Sequence, residues 1–324
     1  MKVFLAGGSG VLGSHLIPQL VARGHEVVAT TTRPERAGRL KAVGVKGVVV
    51  DLLDGEAVAA AVQAARPEVV VHQATALSGP VSLRHWDESF ALTNRLRTEG
   101  LDNLLAAAVA AGARRFVAQS YTGWPNARSG VLVKTEADPL DPDPPAAARE
   151  TLGAIRKLEA AVTGSEGTAG VVLRYGSFYG PGTGLGEGGE QVELIRRRKL
   201  PVVGSGAGVW SFVHIDDAAS ATVAAIEGRG SGLYNVVDDD PAPVAEWLPY
   251  LARALGAKPP RHIPVWLARM IVGEQGIAMM TEMRGASNEK AKRELGWRPT
   301  WSSWRAGFER GLGPAADDTR AEAA

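Results

Sequence analysis

Val3-Phe4-Leu5-Ala6-Gly7-Gly8-Ser9-Gly10-Val11-Leu12-Gly13 stands at the start of the chain. An apolar run breaks into glycines spaced G-x-x-G-x-x-G. An amphipathic pattern then resumes with Val11, Leu12, Leu16, Ile17 and Leu20 on one face. The order is strand, tight turn, helix N-terminus. Glycine suits such a turn because the backbone bends sharply and a ligand approaches it closely. The helix N-terminus presents unpaired N–H groups and partial positive charge, which suit a phosphate. A glycine-rich surface turn is the plainer reading. Against it, the apolar stretch His25-Glu26-Val27-Val28-Ala29 follows at βαβ distance. That context points to a dinucleotide pyrophosphate.

Working outward, strands and helices alternate. A helix is expected over 34–43, a strand over 47–50, a short helix over 56–65 and a strand over 69–72. A long helix over 87–111 follows, then a strand over 115–118, a helix over 146–163 and a strand over 170–174. The near-continuous valine runs suit strands buried on both faces of a parallel sheet. Alternation with helices predicts a doubly wound α/β fold. The Pro/Asp-rich stretch 138–145 fits neither helix nor central strand and reads as a surface excursion. Beyond Gly180 the pattern changes to a glycine loop over 184–189 and helices over 244–255, 264–272, 277–283 and 288–295. This predicts a smaller, mostly helical C-terminal substrate portion. The expected division is 1–178 with 209–237 for the dinucleotide, and 179–208 with 238–313 for the substrate. The Ala/Asp/Glu/Arg-rich residues 314–324 read as a disordered tail.

Composition narrows the classes. The 324 residues are 45% hydrophobic, enough for a large core, and carry 36 basic against 35 acidic side chains, net +1. That balance disfavours a dedicated nucleic-acid binder. There is no cysteine, which excludes disulfides, thiolate metal ligands and thiol nucleophiles. The six histidines are scattered without metal-ligand spacing, so no metal is expected. No membrane-length run and no signal-peptide pattern is evident, so a cytoplasmic location without membrane partners is the expectation.

The landmarks resemble the extended short-chain dehydrogenase/reductase superfamily, the branch of nucleotide-sugar epimerases, dehydratases and hydroxysteroid or dihydroflavonol reductases. Over about residues 1–310 they fall in that family's order. Gly7, Gly10 and Gly13 match its cofactor loop, and Asp51-Leu52 its adenine-contacting pair. His72-Gln73-Ala74-Thr75-Ala76 stands at its fourth-strand end, and Asn94 on its long helix. Tyr179-Gly180-Pro181-Gly182 and Phe212-Val213-His214-Ile215-Asp216-Asp217 match two further segments. The resemblance implies a Rossmann fold. It implies cofactor contacts from Gly7, Ser9, Gly10, Val11, Leu12, Gly13, Asp51, Leu52, Ala74, Thr75, Tyr175 and Phe178. It also implies that an Asp of the last segment caps the following helix, and it leaves a homodimer open.

The second strand ends in Thr30-Thr31-Thr32-Arg33 without the carboxylate that bonds the 2′-hydroxyl of NAD. Arg33 and Arg36 suit a 2′-phosphate, which favours NADP(H) over NAD(H). The alternative is that both are ordinary solvated charges at a helix start. The family's Tyr and Lys, four apart on one helix, are missing. No tyrosine here has a lysine four residues on, and Thr151 and Ile155 fill the corresponding slots. Ser120 and Tyr121, ending the fifth strand, are the candidate catalytic residues; packing of a loop is the plainer reading of Tyr121. Trp210 stands where sugar enzymes carry a diphosphate-gripping Arg. With Trp266, Met270, Met279, Met280 and Met283 it suggests a flat apolar ligand, unless these side chains are simply core. The expected activity is NADP(H)-dependent reduction of an apolar or aromatic ketone or enone with a non-standard proton donor. A catalytically silent NADP(H) sensor and a nucleotide-sugar epimerase or dehydratase are the alternatives.

Overall fold

The computed structural model describes residues 1–77 and 81–313. Residues 314–324, expected to be disordered, lie outside the described residues. Seven strands form one sheet: β1 (Lys2–Ala6), β2 (Glu26–Thr31), β3 (Lys46–Val49), β4 (Val69–His72), β5 (Arg115–Tyr121), β6 (Ala169–Tyr175) and β7 (Gly232–Val236). Their order is β7-β6-β5-β4-β1-β2-β3, and each neighbouring pair is parallel. The sheet is the doubly wound Rossmann arrangement.

Eleven helices are described: α1 (Val11–Ala22), α2 (Pro34–Ala42), α3 (Gly55–Ala65), α4 (Trp86–Ala110), α5 (Arg149–Thr163), α6 (Glu190–Arg196), α7 (Ile215–Glu227), α8 (Val244–Ala254), α9 (Val265–Thr281), α10 (Glu289–Glu294) and α11 (Trp304–Arg310). None of the described helices is long and apolar enough to cross a membrane.

Strand parity builds two cores. Val3, Leu5, Val27, Ala29, Val117 and Leu173 pack with α1 and α7. Phe4, Ala6, Val28, Phe116, Ala118 and Val172 pack with α3, α4 and α5 on the other face. Because successive side chains alternate, residues 116, 118 and 120 of β5 share one face and 117, 119 and 121 the other. A third, aromatic core lies among the later helices, around Phe212, Trp247, Trp304 and Phe308.

The C-terminal portion is less purely helical than its pattern suggests. Four short strand pairs stitch it together, including Phe212–His214 on Ser177–Tyr179 and Val209–Trp210 on Ala242–Pro243. The two helices expected over 264–272 and 277–283 are one element, α9, broken at Gly273, whose φ is 66°. Helix α6 follows directly on the glycine loop, and α11, capped by Ser303 with Trp304 and Phe308 buried four apart, is an element the sequence reading did not include. The cap of α7 is also different from expectation. His214 is the N-cap, and its ring accepts from the Asp216 N–H. Asp217 instead accepts from the N–H groups of Thr300 and Trp301, both at 2.8 Å, tying the C-terminal segment to the sheet.

Candidate active site

The strand order reverses at β1, which lies between β4 and β2. In doubly wound sheets the crevice outside the carboxyl ends at this point takes the ligand. The loop Gly7–Gly13 lies there. Gly7 has φ +90°, and a Cβ on it would fall 2.6 Å from the Ala74 nitrogen, so the β1 and β4 loops touch. A Cβ on Gly13 would fall 2.4 Å from the Gly8 carbonyl oxygen. Gly10 is different. It is exposed, is the N-cap of α1, and makes no side-chain cap. A Cβ on it would meet only the Gly7 oxygen, at 3.3 Å. Gly7 and Gly13 are thus glycine for packing, while the absent Cβ of Gly10 leaves open the space before the N-terminus of α1. That cradle fits a pyrophosphate, which the N–H groups of Val11, Leu12 and Gly13 would hold.

The rest of the expected cofactor surface surrounds this loop. Ser9 Oγ donates to Thr31 Oγ1 at 3.1 Å. Arg33 is the exposed N-cap of α2, with no ion pair among the described residues. Arg36 is half-buried and reaches the Ser9 carbonyl at 3.5 Å. Asp51 is exposed and its carboxylate accepts from Leu53 N–H at 3.0 Å, while Leu52 is buried. Ala74 is half-buried and Thr75 exposed. Beneath them His72 is fully buried; desolvation pushes its pKa down to about 4, so the ring is neutral. Its Nε2 donates to the Leu96 carbonyl and its Nδ1 accepts from Ala74 N–H, which fixes the tautomer and the loop.

Tyr175 belongs to the core. It is 0% exposed, and its hydroxyl sits between Gln73, at 3.1 Å, and Thr222, at 2.6 Å. Phe178 is half-buried and packs on the Tyr175 ring at 5.3 Å.

Ser120 and Tyr121 part company because of parity. Ser120 points to the α5 face, where its Oγ donates to Glu159 Oε1 at 2.7 Å. Arg174, its lateral neighbour on β6, grips the same carboxylate at 2.7 and 2.5 Å. All three side chains are buried. This is an ion pair buried under the sheet, and the Ser120 hydroxyl is engaged within it. Thr151 is also fully buried and donates to Asp87 at 2.6 Å. Asn94 donates to that hydroxyl at 3.0 Å.

Tyr121 faces the other way, toward an aromatic cluster at the carboxyl edge. Its ring lies 6.5 Å from Trp124, which meets Trp86 at 5.3 Å, and Trp86 stacks on Phe90 at 4.7 Å. Burial raises the pKa of Tyr121, and the nearby Arg97 opposes that rise. Arg97 itself is buried, with its guanidinium 5.7 Å from the Phe90 ring centre. A small cleft beside Trp124 is lined by Gln275, Met279 and Met283. Sequence reading missed Trp86, Phe90, Trp124 and Arg97. The signal was available: 86, 90, 93, 97, 101 and 104 form one helical stripe of α4, and one member is charged.

The expected apolar pocket is divided. Met279 and Met283 reach the cleft, and Met280 is buried. Trp266 and Met270 lie exposed on the first half of α9. Trp210 does not offer a stacking face to a ligand. It packs between Phe212 and Trp247, and its indole donates to the Met279 carbonyl at 2.9 Å.

The profile of the NAD dependent epimerase/dehydratase family matches residues 3–236, which spans the sheet and the glycine loop. The chain belongs to that family. Within the NAD dependent epimerase/dehydratase family it is 49% identical to the 3-diazoavenalumate denitrifying reductase of a Streptomyces species, over 96% of this chain and 100% of the relative. It is 30% identical to the 2-alkyl-3-oxoalkanoate reductase of Stenotrophomonas maltophilia, over 79% of this chain and 76% of the relative. The structure of the UDP-glucose 4-epimerase of Thermus thermophilus in complex with NAD superposes with a TM-score of 0.71, at 29% identity over 96% and 98% of the two chains. The chain is an NAD(P)-dependent oxidoreductase of the extended short-chain dehydrogenase/reductase type, with a nicotinamide dinucleotide as its cofactor. The silent-sensor alternative therefore falls.

Proposed function

We propose that the chain is an NADP(H)-dependent reductase that replaces the diazo group of an aromatic compound by hydrogen. When bound, the dinucleotide supplies a hydride. The observation that carries the reading is that no tyrosine of the chain has a lysine four residues on. The family resemblance puts Thr151 and Ile155 in the slots of that pair, and Ser120 Oγ donates to Glu159. Reducing a carbonyl puts a proton on oxygen, so an enzyme doing it needs an acid. Exchanging an aryl diazonium group for hydride needs none. The C–H bond takes the hydride pair, the C–N bond breaks, and its pair leaves with N2. The relative that is 49% identical is named for a denitrifying reduction of a diazo compound. The residues near Tyr121 then orient the ring and keep water away from the reacting carbon; Phe90, Trp86 and Trp124 supply flat apolar faces for this.

A second reading is favoured by the 3-oxoalkanoate reductase relative. There the substrate is a ketone or enone, and Tyr121, whose hydroxyl lies by Ser177 and faces the aromatic cluster, supplies the proton. Tyr121→Phe separates the two. With purified protein and NADPH, the diazo reading expects N2 release from an aryl diazonium salt to stay within about twofold of wild type. An acid role expects ketone reduction to fall by about 10²–10⁴-fold. NADPH oxidation by a panel of aryl ketones, with none by aryl diazonium salts, would overturn the first reading.

The preference for NADP(H) rests on Arg33 and Arg36 at the end of β2. In titration calorimetry Arg33→Ala is expected to weaken NADPH binding by about 1.5–3 kcal/mol, the scale of a hydrogen bond to a charged group, and to leave NADH unchanged. Equal losses for both cofactors would contradict the assignment.

A further inference from the structure

Arg97 is 4% exposed, yet among the described residues its guanidinium makes no hydrogen bond and no ion pair, and its buried Nη1 has no partner. Burial lowers its pKa to about 10, which leaves it a cation at neutral pH. An unpaired buried charge costs several kcal/mol, so folds do not keep one without use. Three helical turns earlier on the same stripe of α4, the buried Trp86 Nε1 is a second donor without a partner among the described residues. Both belong to the group of rings formed by Trp86, Phe90 and Trp124. The carboxylate lining the cleft beside Trp124, Asp141, is taken up by Arg128 at 2.7 Å. The Tyr121 phenol and the neutral His72 ring are the titratable groups coupled to Arg97.

We infer that Arg97 is a recognition site for the carboxylate of an aryl carboxylate substrate, whose ring lies among Phe90, Trp86 and Trp124. A guanidinium pairs with a carboxylate through two parallel N–H bonds, and the anion satisfies what the fold leaves open. The flat rings supply the apolar part of the site. The cofactor phosphates are provided for elsewhere, at Gly10 and Arg33. This inference rests on the proposed aryl substrate, and adds which substituent the substrate carries.

Binding of an unreactive probe tests it without turnover. Cinnamate and cinnamamide differ only in the anionic group. Each is titrated into the protein saturated with NADP⁺, with tryptophan fluorescence or calorimetry as readout. Wild type is expected to bind cinnamate about 10–100-fold more tightly than cinnamamide. Arg97→Gln is expected to bring the two within about twofold, without changing the affinity for NADPH. Arg97→Lys keeps the charge but not the fork, and should retain part of the preference. Equal binding of the two probes by wild type overturns the inference, even if Arg97→Gln fails to fold. So does a preference that survives in Arg97→Gln. If the protein prefers cinnamate but releases no N2 from diazonium salts, the carboxylate site stands and the diazo reading fails. If it releases N2 but binds the two probes equally, the diazo reading stands and the carboxylate site fails.

Discussion

Gly10→Val is expected to fold and to lose dinucleotide binding. The backbone at position 10 has φ −81° and ψ 176°, an extended conformation open to valine. The added Cβ meets one protein atom, the Gly7 oxygen at 3.3 Å. Its branches instead fill the space before the N-terminus of α1. Displacing a pyrophosphate from those N–H groups removes charge-assisted hydrogen bonds worth about 1.5–3 kcal/mol each. Losing two of them would weaken NADPH by at least about 100-fold, since each 1.4 kcal/mol is tenfold. Thermal unfolding and NADPH titration on the same sample separate binding from folding. Gly13→Ala is the contrast: its Cβ would lie 2.4 Å from the Gly8 oxygen, so it should lower stability as well. Gly10→Val protein with wild-type NADPH affinity would show that the cradle is not the cofactor loop.

Glu159→Ala is expected to destabilise the fold by about 3–5 kcal/mol in urea unfolding, the cost of leaving a buried charge unpaired. Arg174 is 4% exposed and loses both of its carboxylate contacts, at 2.7 and 2.5 Å. Ser120→Ala removes a single donor from the same carboxylate and should cost about 1 kcal/mol, with turnover unchanged. A loss under about 1 kcal/mol for Glu159→Ala, or a large loss of turnover for Ser120→Ala with stability kept, would contradict the structural role given to this group.

Much of the sheet was legible because its signal is local. Valine runs, a glycine turn and alternating helices place β1 to β6 within a few residues. What escaped depends on contacts distant in sequence. Both faces of β5 are buried and apolar, so the pattern of 115–118 does not say which face the ligand sees. Only α5, which brings Glu159 under Ser120, makes the parity readable. Trp210 looked available for stacking because its partner, the Met279 carbonyl, lies 69 residues away. The stretch from Trp266 to Gln275 looks uniformly apolar or mixed, yet the break at Gly273 leaves Trp266 and Met270 exposed while Met279 and Met283 turn inward. Arg97 was hidden by habit: a charge on a long helix reads as solvated unless the stripe containing it is counted. Its neighbours Trp86, Phe90 and Leu101 are the apolar members of that stripe.

Labelled hydride bears most directly on the central claim, that reduction here needs no acid from the protein. The chain is incubated with an aryl diazonium carboxylate and NADPH carrying deuterium at C4 in its transferable position, in ordinary water. The account predicts one N2 released per NADPH oxidised, and deuterium bonded to the carbon that carried the diazo group. N2 release without NADPH oxidation, or a product whose new hydrogen comes from water, would contradict it.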